Sequence, residues 1–314
     1  MCPDNMTKAA EFLLMGFHDL PNSKIPLLIL FLLIYIVILC GNIIIIFMVT
    51  FNENLQIPMF YFLKHLGVTD LVFTTNVIPM MLHIILNEGI TVSLAQCTCQ
   101  YYVSILSGCM QCFLLAVMSY DRYLAVCHPL HYISIMSPNV CHQIVIGCWL
   151  LDFILITSEI VLFGKLQFCG LNSIDHFFCD FGPLVELSTS DTSVLMLLDF
   201  AISMAVISIP FAFIIGTYIC IFIAILRIRT RDGRQKTFST CSSHLTVVCT
   251  YYGTLMAVYM GPSGGNSLNI NKFLSLLYIV ITPVMNPIIY SLRNKEIRET
   301  VKKYVKNNLY TNNN

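Results

Sequence analysis

An acid and a base stand side by side at Asp121-Arg122, near the end of a long apolar stretch and just before a loop holding His128, Pro129 and His131. Charge is expensive inside a bilayer, so such a pair belongs at its edge, paired or able to pair. An ion pair there can hold a helix end shut and release it. Other polar groups lie deeper: Asn42, Asp70, Asn286 and Tyr290 sit within apolar runs, as do Asp152, Glu159 and Asp199. Ionisable groups at such depth are functional by default, with plain inter-helix hydrogen bonding as the alternative. Hydrolytic chemistry would require His to converge with Asp or Glu at one depth. His65, His128, His131, His142 and His244 instead cluster at the ends of the runs, which suits switching better than catalysis.

The elements that carry these groups are membrane spans. The 314 residues are 57% hydrophobic and only 11% charged, with a mean hydropathy of +0.77; soluble domains carry about 25% charged residues. Net charge is zero, and no basic or acidic block points to nucleic acid. Seven apolar stretches, at about 26–50, 58–82, 97–126, 141–163, 197–225, 237–261 and 270–292, meet the roughly 20 residues that a bilayer core demands. The expected fold is an all-α seven-helix membrane bundle: an external N-terminus (1–25), the bundle (26–292) and an internal tail (293–314).

Basic residues fix the orientation. With the N-terminus outside, Lys8, Lys24, Lys165 and Lys272 are external and the other thirteen of the seventeen are internal, as the positive-inside rule demands. Asn5-Met6-Thr7 is a glycosylation acceptor, which agrees with an external N-terminus. The first residues lack the charged flank, apolar run and cleavage site of a signal peptide, and neither a myristoylation nor a prenylation motif is present. Fourteen cysteines are scattered through the apolar runs without zinc-type spacing.

The string MSYDRYLAVCHPLHY (Met118–Tyr132) resembles the signature of the vertebrate olfactory receptors, a family of rhodopsin-like seven-helix receptors. The resemblance continues through Gly41-Asn42, LQIPMFYFL (Leu55–Leu63), Asp70, FCGLNSIDHFFCD (Phe168–Asp180), KTFSTCSSHL (Lys236–Leu245) and PVMNPIIYSLRNKE (Pro283–Glu296). It covers nearly the whole chain, in order.

The resemblance implies several roles. Asp121, Arg122 and Tyr123 form the internal latch, and Tyr218, Asn286, Pro287 and Tyr290 support the activated state. Asn42 and Asp70 belong to a buried polar network that often surrounds a sodium ion. Gln111 stands where the family usually has Glu; hard cations depend on charged oxygen ligands, so sodium is expected to matter less here. Cys97 is expected to pair with Cys179. The family's second loop bridge lacks its partner, because Thr189 replaces the cysteine. Cys169 is then expected to be an unpaired thiol, or to find an atypical mate in Cys99 or Cys2. The segment RIRTRDGRQK (Arg227–Lys236) reads as lipid-hugging charge and, by resemblance, as a G-protein contact. The tail beyond Arg293 reads as a short amphipathic helix on the inner leaflet, without cysteine for palmitoylation.

By the same resemblance a small volatile molecule binds the outer half of the bundle. Helical spacing groups Tyr101, Ser104, Ile105, Gly108, Cys109 and Cys112 on the third span. It likewise groups Asp199, Ile202 and Val206 on the fifth, Tyr252, Leu255, Met256 and Tyr259 on the sixth, and Leu276 and Ile279 on the seventh. Asp199 is either a headgroup-level carboxylate or a counter-ion for an amine or acceptor for a hydroxyl. Asp152 and Glu159 share one face of the fourth span and seek partners within the bundle. The expectation is an odorant receptor of the plasma membrane, coupled to a stimulatory G protein, needing no cofactor and performing no catalysis. A transporter would show internal repeats or paired broken helices, and no such self-similarity is present. A non-olfactory rhodopsin-like receptor fits less well, since the sixth span lacks proline and carries Tyr251-Tyr252-Gly253.

Overall fold

The structure is a computed structural model that describes residues 11–16, 24–170, 172–259 and 267–293. Seven long helices dominate it: α1 (Lys24–Phe51), α2 (Pro58–Asn87), α3 (Leu94–Cys127), α5 (Pro138–Phe163), α7 (Ser193–Arg227), α8 (Arg231–Tyr259) and α9 (Ser267–Arg293). Two short ones, α4 (Tyr132–Ile135) and α6 (Phe181–Glu186), lie in connections. Among the described residues six helices are long and apolar enough to cross a membrane. The exception is α8, which is as long but opens on the polar run Arg231–Ser243. It begins several residues before the expected sixth span and packs along α9.

Lipid is the solvent that this surface fits. On α1, Ile29, Leu33, Ile36, Ile43 and Phe47 point outward, while Asn42 is buried. On α7, Leu197, Phe200, Ile209 and Phe222 are exposed in the same way. Asp70, Gln111, Asp121, Asp152 and Glu159 are all inside. Apolar patches of this extent do not persist on soluble monomers.

The helix breakers are accommodated by neighbours. Pro287 has no N–H, so the carbonyl of Pro283, four residues earlier, loses its helical donor. Asn42 Nδ2 donates to that carbonyl at 3.3 Å and to Ile38 O at 3.0 Å, which re-satisfies the freed group as membrane interiors require. Gly41 permits the approach, since a Cβ there would stand 2.9 Å from the Pro287 ring. The Gly41-Asn42 pair therefore joins α1 to the proline-bearing part of α9.

One end of the bundle carries a small sheet that the expectation of an all-α chain omitted. Its central strand is β1 (Glu11–Leu14), flanked by antiparallel β2 (Ile90–Ser93) and parallel β3 (Asn172–Ile174). Phe12 and Leu14 are fully buried beneath it, and Phe12 meets Phe168 edge-on at 5.0 Å. Ser93 closes β2 and caps α3: Gln96 N donates to Ser93 Oγ at 3.2 Å while Ser93 N donates to Gln96 Oε1 at 3.0 Å. This capping box fixes where α3 begins, and so the depth of every side chain on it.

Candidate functional site

Below the sheet a cavity of about 360 Å³ opens between α3, α7, α8 and α9. Tyr101, Ser104, Ile105, Gly108, Cys109 and Cys112 all line it, as one stripe of α3. Asp199 and Val206 line it from α7, together with Ser203 and Ile207, and Leu255 lines it from α8. Gly108 keeps this wall open; a Cβ there would meet Tyr278 Oη at 3.0 Å.

Other expected residues stand elsewhere. Ile202 packs into the central core instead of lining the cavity. Tyr252 and Met256 face a second, apolar groove between α7 and α8, where Tyr252 lies against Phe211 at 4.6 Å. On α8 the cavity is met by Tyr251, Leu255 and Val258, and on α9 by Ser275 and Tyr278. Leu276 and Ile279 join the apolar cluster under the sheet instead. On α9 the lining face lies one residue from the expected one, about 100° of rotation; on α8 Leu255 lines the cavity as expected, and Tyr251 does so in place of Tyr252. The side chain of Tyr259 lies outside the described residues.

Several lining groups carried little signal in sequence. Phe178, Asp180, Phe181 and Gly182 enter from the connection after β3, and Phe73 enters from α2. Loop residues have no periodicity to place them; the Cys179 bridge helps to fix their position. That bridge joins Cys179 to Cys97 of α3, with Cα atoms 5.4 Å apart. Gln100 Oε1 accepts from Cys179 N at 2.8 Å, and Asn76 donates to Ser104 Oγ at 2.9 Å. Burial pushes the carboxyl of Asp180 up from its ordinary value, against the bond from Phe181 N.

Of the two readings left open for Cys169, the unpaired thiol is overturned and pairing with an atypical mate stands. Cys169 is disulfide-bonded, and Cys99, one of the mates left open, is free. Thr189 still touches the Cys169 sulfur, at 3.4 Å. The loop is thus held by a second bridge despite the missing family cysteine.

The floor of the cavity leads to the polar interior. Tyr251 OH donates to Gly108 O at 2.8 Å and lies 3.3 Å from Cys112 Sγ, joining α8 to α3. Deeper, Asp70 accepts from Gln111 Nε2 at 2.8 Å and from Asn286 Nδ2 at 2.7 Å. Tyr290 is fully buried, and its hydroxyl has no hydrogen-bond partner among the described residues.

At the far end Arg122 is nearly buried and pairs with Asp121, Nε donating to Oδ2 at 2.9 Å. The other Asp121 oxygen accepts from Tyr132 OH at 2.8 Å, so the latch closes onto α4. Tyr123 OH meets His128 Nε2 at 3.0 Å. Tyr218 reaches across to α8, donating to Cys241 O at 3.2 Å and lying 2.8 Å from His244 Nδ1. On α5, Glu159 accepts from Tyr101 OH, while neither oxygen of the buried Asp152 has a hydrogen-bond partner among the described residues. Asn5 and the tail beyond Arg293 lie outside the described residues. No group of three or more metal-ligating side chains occurs among the described residues.

Comparison with known proteins gives one answer. A family model described as olfactory receptor matches residues 31–308. Olfactory receptor 6N1 of Homo sapiens is 42% identical over 302 residues, covering 96% of this chain and 97% of its own. Olfactory receptor 1M1 of Mus musculus is 39% identical over 311 residues, covering 99% of each chain. Olfactory receptor 5P81 of Mus musculus is 43% identical over 299 residues and 95% of each.

Proposed function

Because this chain belongs to the olfactory receptor family, a family of odorant receptors and not of enzymes, we propose that its own odorant site is the cavity under the sheet. The observation that carries this reading is the cavity itself: an apolar wall with a few convergent polar groups, the usual make-up of a small-molecule site. Tyr101, Ser104, Ile105, Gly108, Cys109, Cys112, Asp199, Val206 and Leu255 contact the ligand, with Tyr251 and Tyr278 added to them. Ile202, Tyr252, Met256, Leu276 and Ile279 act behind that layer by setting its shape.

Ligand favours a minor conformation only if it fits that conformation better. Here the joint between ligand and conformation is Tyr251, whose hydroxyl ties α8 to α3 directly at the cavity floor. Movement of α8 strains the Tyr218–His244 contact and frees the surface around Arg122. That surface, with Tyr123, Pro287, Tyr290 and the basic segment Arg227–Lys236, engages a stimulatory G protein of the olfactory type and raises cyclic AMP. The chain is a multi-pass membrane protein; in our reading it resides in the plasma membrane, its N-terminus (1–25) outside and glycosylated at Asn5. Its tail (293–314) is cytoplasmic.

A cyclic AMP reporter in cells expressing the full chain, challenged with a chemically broad odorant panel, tests this reading. Activation by at least one compound, lost on filling the cavity with Gly108→Trp at unchanged surface expression, is the expected result. Activation that survives Gly108→Trp for every agonist would move the site elsewhere.

A further inference from the structure

The cavity is acidic. Asp180 and Asp199 both line it, and no lining residue among those described is basic. Asp199 has neither a hydrogen-bond donor nor a cation among the described residues, and it feels the like charge of Asp180. Directly behind this wall, Glu159 is fully buried with one oxygen on Tyr101 OH and the other unpartnered. Tyr101 itself lines the cavity, and the Glu159 and Asp199 carboxylates repel one another. Asp152 adds two further unpartnered oxygens on the same helix as Glu159. The lysines described at this end are committed or remote: Lys272 pairs with Asp175, Lys24 pairs with Glu88, and Lys165 is exposed.

Carboxylates gathered away from water without a counter-charge are costly, and an opposite charge repays that cost when it is brought into contact. We propose that the site selects a protonated amine, a small organic ammonium whose nitrogen is met by Asp199 and Asp180 and whose apolar body rests on Ile105, Val206 and Leu255. This inference rests on the cavity being the ligand site. It also carries an exclusion: a carboxylic acid of the same skeleton adds a further like charge and is rejected, since like charges in contact are a strong element of discrimination.

The test uses one skeleton with three head groups: cyclohexylmethylamine, cyclohexylmethanol and cyclohexanecarboxylic acid. Binding to the full-length protein in lipid nanodiscs is read by ligand-induced thermal stabilisation, alongside cyclic AMP in cells. In the natural protein the amine binds at least tenfold more tightly than the alcohol, and the acid is weakest. Asp199→Asn weakens the amine far more than the alcohol and so removes the amine's advantage; Asp180→Asn weakens the amine while keeping the cap of α6, because Asn caps as well as Asp. If Asp199→Asn binds neither compound, Asp199→Glu must restore the amine or the proposal falls. It falls equally if the alcohol matches the amine in the natural protein, or if the amine ignores both Asn substitutions; the cavity reading then survives on alcohol binding. Amine binding as expected with flat cyclic AMP refutes the signalling reading and leaves the amine site standing. If none of the three binds the natural protein, the amine site is refuted.

Discussion

Gln111 Nε2 donates to Asp70 Oδ1 at 2.8 Å, and the second oxygen of Asp70 is taken by Asn286. Both oxygens of this carboxylate are therefore satisfied by amides. A cation entering here would have to displace a neutral donor and would gain no second charge from position 111. Sodium is expected to change agonist potency less than twofold in the natural protein. Gln111→Glu should introduce a sodium effect of several-fold, measured as agonist potency with sodium or a large organic cation in the buffer. Equal sodium sensitivity in the two proteins would refute the assignment.

Tyr132 OH holds the free oxygen of Asp121 at 2.8 Å. A hydrogen bond to a charged group contributes about 1.5–3 kcal/mol, all of it to the closed latch. Tyr132→Phe should raise agonist-independent cyclic AMP by roughly ten- to a hundredfold at equal surface expression, since about 1.4 kcal/mol is a tenfold shift in equilibrium. Unchanged basal activity would show that α4 does not brace the latch.

Tyr251→Phe removes the donor to Gly108 O while keeping the ring that forms the cavity floor. The loss of one neutral hydrogen bond, about 1 kcal/mol, should raise basal signalling by roughly fivefold. Tyr252→Phe should do less, because the Tyr252 hydroxyl has no hydrogen-bond partner among the described residues. A larger effect from Tyr252→Phe would reverse the order of the two tyrosines.

His176 lies in the loop outside the spans, against Phe177 and Phe178 at ring separations of 4.6 Å each. Burial first, and then the charge of Lys272, holds its imidazole down to about 3 from the ordinary 6.5, while Asp175 opposes them. Below the ordinary value the unfolded chain takes up a proton that the folded loop refuses, so stability falls as the pH drops from about 6.5 toward about 3. Thermal unfolding in nanodiscs at pH 7 and about pH 5 should show this loss. His176→Phe should reduce the difference between the two; an identical difference would remove His176 from the account.

What the sequence made legible follows from what carries period or identity. Seven apolar runs set the number of the long helices. The stripe on α3 was readable because Gly108, Ser104 and the two cysteines stand out against its apolar background. On α8 both Tyr251 and Tyr252 are buried, and hydropathy cannot tell which of two adjacent tyrosines faces inward. Ser275 and Tyr278 were passed over for their apolar neighbours, although in a lipid solvent the polar side of a helix is the one that turns in. The sheet was invisible because its strands are four residues or fewer and are paired by backbone alone. The bonding of Cys169 could not be read from loop spacing once Thr189 replaced the usual partner. Asn42 was singled out as a polar intruder, yet its task, supplying the donor that Pro287 lacks, needed the crossing of α1 and α9.

The placement of β1 has a topological meaning. Among the described residues it lies in the middle of the sheet, so β2 and β3 are joined only through it. β2 leads into the capped start of α3, and β3 runs on into Phe178 and Asp180, which line the cavity. Glu11–Leu14, a stretch remote in the chain from every lining residue, thereby couples two walls that share no strand contact of their own.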